Sequence, residues 1–210
     1  MNEVKTGFKI IGAAIKLWWD DWSNQELVSL AAILLSLTIV LFPAATFGIY
    51  QESLDLTHGI RTGIAGFWQG FKKDFGKSLL WGLLNILVAA GIGFCIWFYT
   101  NSKFSFAPLL VIFLILLAVF WFLWQYFSIT CFFLQTEKSL KLAWKNGLAL
   151  MLTRPVLCLV SGLLAAVLTV LSFRYYIPLL IGIPTLLALL GLMTVQQTLL
   201  PEAVPSEANK

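Results

Sequence analysis

The chain has 210 residues, 60% of them hydrophobic and only 11% charged, and its mean hydropathy is +0.88. Soluble domains are about 45–50% apolar and about 25% charged, so an ordinary cytosolic enzyme is excluded and the membrane span of about 20 residues becomes the unit of length. Fourteen Lys and Arg against ten Asp and Glu leave a net charge of +4, and the basic residues fall between apolar runs, which suits anionic lipid and cytoplasm rather than nucleic acid.

Residues 1–25 place Val4, Phe8, Ile11, Ile15, Trp18 and Trp22 at spacings of four and three, with Lys5, Lys9 and Lys16 largely off that line. This predicts an amphipathic helix lying in the headgroup zone, because its apolar stretch is too short and too charged to span. It also lacks the pattern of a secretory signal peptide. A single transmembrane domain then covers residues 26–200, with five uncharged apolar runs at 27–50, 79–99, 106–133, 155–173 and 177–199. Pro43, past the middle of the first run, predicts a kink or the end of the spanning part.

Between the first two runs, residues 60–78 put Ile60, Ile64, Phe67, Phe71 and Phe75 on one helical face, with Arg61, Gln69, Lys72, Lys73 and Asp74 elsewhere. Between the third and fourth, residues 138–152 put Leu140, Trp144, Leu148 and Met151 on one face and Lys138, Lys141 and Lys145 on the other. Both read as cytoplasmic amphipathic helices on the inner leaflet. Phe67, Trp68, Phe71, Lys72, Lys73 and Phe75 are the candidate lipid- or partner-binding residues. The order span, surface helix, span is thus written twice, a parallel repeat with a fifth span appended. Gly59, Gly63, Gly66 and Gly70 form either a close-packing stripe or part of a loop. The tail, residues 201–210, is polar and Pro-punctuated and reads as disordered.

Segments 51–78 and 134–154 carry four Lys and Arg each, whereas the connections opposite carry only Lys103 and Arg174. The long segments are therefore cytoplasmic. With five spans the N-terminus lies outside, at odds with its three lysines. A cytoplasmic N-terminal helix would mean one span fewer or more, the weak points being Pro43 and the closely spaced final pair.

Chemistry-bearing residues are few. Cys95, Cys131 and Cys158 lie in apolar runs without CxxC spacing, His58 is the single histidine, and neither a metal site nor a cofactor is indicated. No GxSxG or HExxH motif is present, and the spans hold no Asp, Glu, Lys, Arg or His, so the chain reads as a non-enzyme. Asn85 and Gln125 are the candidate intramembrane polar residues, either joining helices or contacting a ligand. Asp20, Asp21, Glu52, Asp55, Asp74 and Glu137 read as solvated or paired with nearby lysines.

Several segments resemble the YesL family of bacterial membrane proteins, which is defined by sequence. These are Leu41-Phe42-Pro43-Ala44-Ala45-Thr46 followed by Tyr50, Phe67-Trp68 with Phe71-Lys72-Lys73-Asp74-Phe75, Ser78 to Gly82, Ser139-Leu140-Lys141-Leu142-Ala143, and Arg154-Pro155. Gln51, Glu52 and Asp55 depart from it, since family members often carry basic residues there. The resemblance implies an all-α polytopic bundle of the bacterial inner membrane, linked to carbohydrate uptake. The expectation is an accessory or scaffold component whose partners are the bilayer and carbohydrate-transporter subunits. The alternative is a facilitator for small sugar-like molecules.

Overall fold

The computed structural model describes residues 3–175 and 182–199. The predicted start of the last span and the predicted disordered tail lie outside the described residues. Among those described there are nine α-helices and no strand. They are α1 (Glu3–Asp20), α2 (Trp22–Ser36), α3 (Phe42–Thr57), α4 (Ile64–Lys73), α5 (Phe75–Thr100), α6 (Ala107–Leu134), α7 (Leu140–Thr153), α8 (Pro155–Tyr175) and α9 (Ile183–Leu199). Three of them, α5, α6 and α8, are long and apolar enough to cross a membrane, while α9 is a shorter apolar helix. At 1.5 Å per residue, α5 and α6 reach about 39 and 42 Å, more than the roughly 30 Å hydrocarbon core.

The first expected span is not one helix. Run 27–50 breaks at residues 37–41, where α2 ends and α3 turns back against it. The hydroxyls of Ser36 and Thr38 donate to the carbonyls of Ala32 and Leu35 at 2.6 and 2.7 Å, occupying acceptors that a continuing helix would use. Pro43 does not kink a span. It sits in the first turn of α3, where its missing N–H is no loss and its fixed φ suits a helix start. The turn escapes a hydropathy window because it is itself apolar: Leu37, Ile39 and Val40 are 77%, 74% and 68% exposed. Helices of 15 and 16 residues reach only about 22–24 Å, so α2 and α3 form a short hairpin with a greasy tip.

The two amphipathic segments also differ from expectation. Helix α4 is confined to Ile64–Lys73, because the backbone at Asp74 leaves helical geometry before α5 begins at Phe75. Gly59 and Gly63 have φ of +79° and +52° and belong to the α3–α4 loop, a region of backbone space that favours glycine. Gly66 and Gly70 instead face α3, and a Cβ on Gly70 would lie against Gln51 and 2.9 Å from the carbonyl of Phe47. The stripe is therefore half loop and half close packing. In α7 the fully buried residues are Ala143, Gly147 and Leu150, while Leu140, Trp144, Leu148 and Met151 are half-buried. The small residues win because a Cβ on Gly147 would already press on the backbone of Ser128 in α6.

Helix α4 folds back along α3 much as α7 folds back along α6. Their shared core holds Phe47, Tyr50, Phe67, Trp81, Ile129, Phe132 and Phe133, with Val28 and Ala32 of α2 and Leu192 of α9. Phe47 meets Phe132 and Phe133 at centroid distances of 5.2 and 5.3 Å, and Tyr50 stacks on Phe133 at 5.6 Å. The expected apolar face of α1 is only partly covered, since Val4, Phe8 and Ile15 stay exposed. Ile10 and Ala14 pack with Leu157 and Leu190, and Trp18 with Leu56 and Leu189, so α8, α9 and α3 cover a neighbouring stripe. Glu3 at one end of α1 pairs with Arg154 at 3.4 Å, and Asp21 just past the other end pairs with Arg61 at 3.8 Å. Both ends of α1 thus pair with arginines of the two long basic segments.

Packing is uneven along the long helices. The buried residues of α5 all precede Leu83, and those of α6, apart from Ala107, all follow Phe122. The remaining halves project Leu87, Phe94, Trp97, Leu109, Phe113 and Leu116 outward.

Candidate functional site

Two polar clusters sit inside this apolar chain. The first lies at the base of the α2–α3 hairpin. Gln25 of α2 and Glu52 of α3 lie on either side of the turn, so folding the hairpin closed brings them face to face. Both are 0% exposed. Gln25 Nε2 donates to Glu52 Oε1 at 2.7 Å and to Asp21 Oδ2 at 3.3 Å. Asn24 Nδ2 donates to Asp21 Oδ1 at 2.9 Å, the oxygen that also faces Arg61. One turn along α3, Asp55 accepts from Gln51 Nε2 at 3.0 Å and from Thr62 Oγ1 at 3.1 Å. Its main-chain carbonyl takes the N–H groups of His58 and Ile60, which closes the loop into α4.

Glu52 is the exceptional member. Burial pushes its carboxyl up to about 7; the Gln25 bond opposes the shift, and the charges of Asp21 and Asp55 reinforce it. Its second oxygen, Oε2, has no hydrogen-bond partner, nor has Gln25 Oε1 or Ser29 Oγ. The Ser53 hydroxyl beside the carboxyl also opposes the shift, by less than burial raises it. Of the six carboxylates expected to be solvated or lysine-paired, Asp21, Glu52 and Asp55 gather here instead, and no lysine is within pairing distance of Glu52 among the described residues. The sequence signal was faint: Asp21 and Gln25 are one turn apart, as are Glu52 and Asp55, but only the hairpin joins them.

The second cluster contains the predicted pair Asn85 and Gln125. Gln125 Oε1 accepts from Trp81 Nε1 at 2.9 Å, Trp144 Nε1 at 3.2 Å and Asn85 Nδ2 at 3.4 Å. Asn85 Oδ1 accepts from Trp121 Nε1 at 3.0 Å, and Asn85 Nδ2 also donates to the carbonyl of Trp81 at 2.8 Å. Trp124 Nε1 donates to the carbonyl of Trp144 at 2.9 Å. The two amides therefore tie α5, α6 and α7 together through indole N–H groups.

The predicted surface residues divide. Phe67 is 0% exposed and Phe71 is buried, both filling the contact with α3, so they are unavailable to lipid. Phe75 is half-buried against Phe71, while Trp68, Lys72 and Lys73 are exposed, with Lys72 Nζ 6.0 Å from the Trp68 ring. The two basic segments converge. Lys77 and Lys138 approach the Phe132 ring at 5.7 and 5.6 Å, and Lys138 Nζ donates to the carbonyls of Phe133 and Phe132 at the end of α6. Partial burial and the neighbouring Lys73 hold the Lys138 ammonium below its usual range. Sequence reading saw two separate basic helices and missed that they meet.

No family model, curated protein or solved structure matches this chain.

Proposed function

We propose that this chain is a non-catalytic, multi-pass protein of the bacterial inner membrane, acting as an accessory or scaffold component associated with carbohydrate uptake. The carbohydrate link rests on the resemblance to the YesL family. The scaffold role is carried by one observation, the convergence of Lys73, Lys77 and Lys138 where the α4–α5 and α6–α7 junctions meet. A basic surface beside exposed Trp68 suits the anionic inner leaflet and a docked cytoplasmic or membrane partner.

In this reading α5, α6 and α8 cross the bilayer, while α9 stays against α1 and α3, the Gly182 carbonyl at its start accepting the Trp18 indole N–H at 3.1 Å. The α2–α3 hairpin enters from the cytoplasmic leaflet, buries its tip in hydrocarbon and returns. Backbone polar groups inside the hairpin remain satisfied within its two helices, as the bilayer demands. The N-terminal helix is then cytoplasmic, and eleven Lys and Arg face the cytoplasm against Lys103 and Arg174 outside. That balance is cleaner than the nine against five of a five-span arrangement.

The alternative, a facilitator for small sugar-like solutes built on Asn85 and Gln125, has less support, because both amide oxygens already accept indole N–H groups. Extraction of the native membrane into nanodiscs, followed by mass spectrometry of what stays bound, tests the proposal. Transporter subunits should copurify with the wild type and be lost from Lys72→Glu with Lys73→Glu, while insertion is retained. Recovery of the wild-type chain without partners would overturn the scaffold reading.

A further inference from the structure

We infer that Glu52 holds a proton in the folded protein, forms a two-bond acid–amide ring with Gln25, and makes the base of the α2–α3 hairpin a proton-binding site whose discharge loosens the hairpin. The inference starts from two orphan atoms in one contact. Glu52 Oε2 and Gln25 Oε1 are both buried and unpartnered, while Gln25 Nε2 already donates to Glu52 Oε1 at 2.7 Å. Two acceptors cannot satisfy each other. A single proton on Glu52 Oε2 turns that oxygen into a donor to Gln25 Oε1 and settles both vacancies at once. The second Nε2 hydrogen still reaches Asp21 Oδ2.

The surroundings oppose the charged form. Asp21 enters from the α1–α2 turn and is partly neutralised by Arg61 of the α3–α4 loop, and Asp55 comes from the next turn of α3 itself. Helix α9 brings no titratable side chain among its described residues, and the Tyr126 hydroxyl of α6 is committed to the carbonyl of Leu187. On α4, Lys72 and Lys73 are exposed at the far end, and Lys77 of α5 is engaged by Asp74. No cation therefore compensates Glu52 directly, and burial raises its pKa to about 7. When water takes the proton, the carboxylate returns, one of the two bonds across the hairpin base is lost, and two negative neighbours repel it. The site thus couples cytoplasmic pH to how firmly α2 is held against α3. It depends on neither the carbohydrate link nor any partner.

The test uses the full chain in nanodiscs. Infrared spectra of protein labelled with ¹³C-Glu should show a protonated-carboxyl C=O band that disappears as pH rises through about 7, a range in which ordinary glutamates are already ionised. Hydrogen exchange in α2 and α3, corrected for intrinsic rate, should speed up about tenfold over the same interval, which corresponds to one decade in the opening equilibrium. Glu52→Gln retains an amide N–H to donate to Gln25, so its exchange should be slow and independent of pH. Absence of the carboxyl band in the wild type would overturn the inference even if Glu52→Gln failed to fold. So would equal pH dependence in both proteins, or protection that follows Na⁺ at fixed pH, which would mark a metal-cation site instead.

Discussion

Replacing Gln125 with Leu offers a direct measurement of what the intramembrane amides do. In the wild type Gln125 Oε1, on α6, accepts two indole N–H groups and one amide N–H, drawn from α5 and α7. The Trp81 bond is the shortest and Trp81 is buried, so its stranded donor should cost about 1–3 kcal/mol. Trp144 is half-buried and its bond longer, which adds roughly 0.6 kcal/mol, near the mean for polar contacts between membrane helices. A partial refund comes from Gln125 Nε2, which is buried without a partner in the wild type and disappears in the variant. The net expectation is a loss of about 2 kcal/mol, or some thirtyfold in the unfolding equilibrium. Unfolding in mixed detergent–SDS micelles, followed by tryptophan fluorescence, reads this, since Trp81, Trp121 and Trp144 all lie in the cluster. A loss below about 0.5 kcal/mol, or loss of solute flux in proteoliposomes with stability intact, would refute the helix-joining assignment.

Other substitutions probe the remaining arguments. Gly70→Ala should destabilise by about 1–3 kcal/mol, because its methyl would press on Gln51 and the Phe47 carbonyl, whereas Gly76→Ala meets nothing within 4 Å and should be neutral or stabilising by up to about 1 kcal/mol; the same micelle unfolding compares them. The raised carboxyl of Glu52 means that the folded state binds the proton more tightly than the unfolded one. Stability should therefore be greatest below the unfolded value of 4.5, fall as pH rises to about 7, and level off beyond, by up to about 3 kcal/mol, and Glu52→Gln should lack this slope. In a cysteine-free background, a membrane-impermeant maleimide applied from outside should label Ser105→Cys but not His58→Cys or a cysteine added at the N-terminus. Outside labelling of the N-terminus would mean that the α2–α3 segment crosses.

The long helices were legible because a charge-free run of more than 20 residues has few other uses in a chain this apolar. Expected runs 79–99, 106–133 and 155–173 became 75–100, 107–134 and 155–175. The hairpin was not legible in the same way, since Leu37, Ile39, Val40 and Leu41 raise window hydropathy while forming a turn. Two local signs did point there, Pro43 and the excess of lysine near the N-terminus, which already strained the five-span count. Asn85 and Gln125 could be picked out as polar residues in apolar surroundings, but their partners could not, because tryptophans near span ends ordinarily serve as interface anchors. The Glu52 site depends on contacts 27 residues apart in sequence, and nothing local marks Glu52 as different from Asp20 or Glu137.

The uneven packing of α5 and α6 also governs the lipids around the protein. Near the basic junctions, the cross-section includes the hairpin, α4, α7 and the lower ends of the long helices. Toward Lys103 it narrows, since α5 beyond Leu83 and α6 before Leu123 bury almost nothing. A body of this shape displaces more lipid area from one leaflet than from the other. Its insertion acts as a wedge, and it should enrich where the membrane already bends to accommodate a broad footprint in one leaflet.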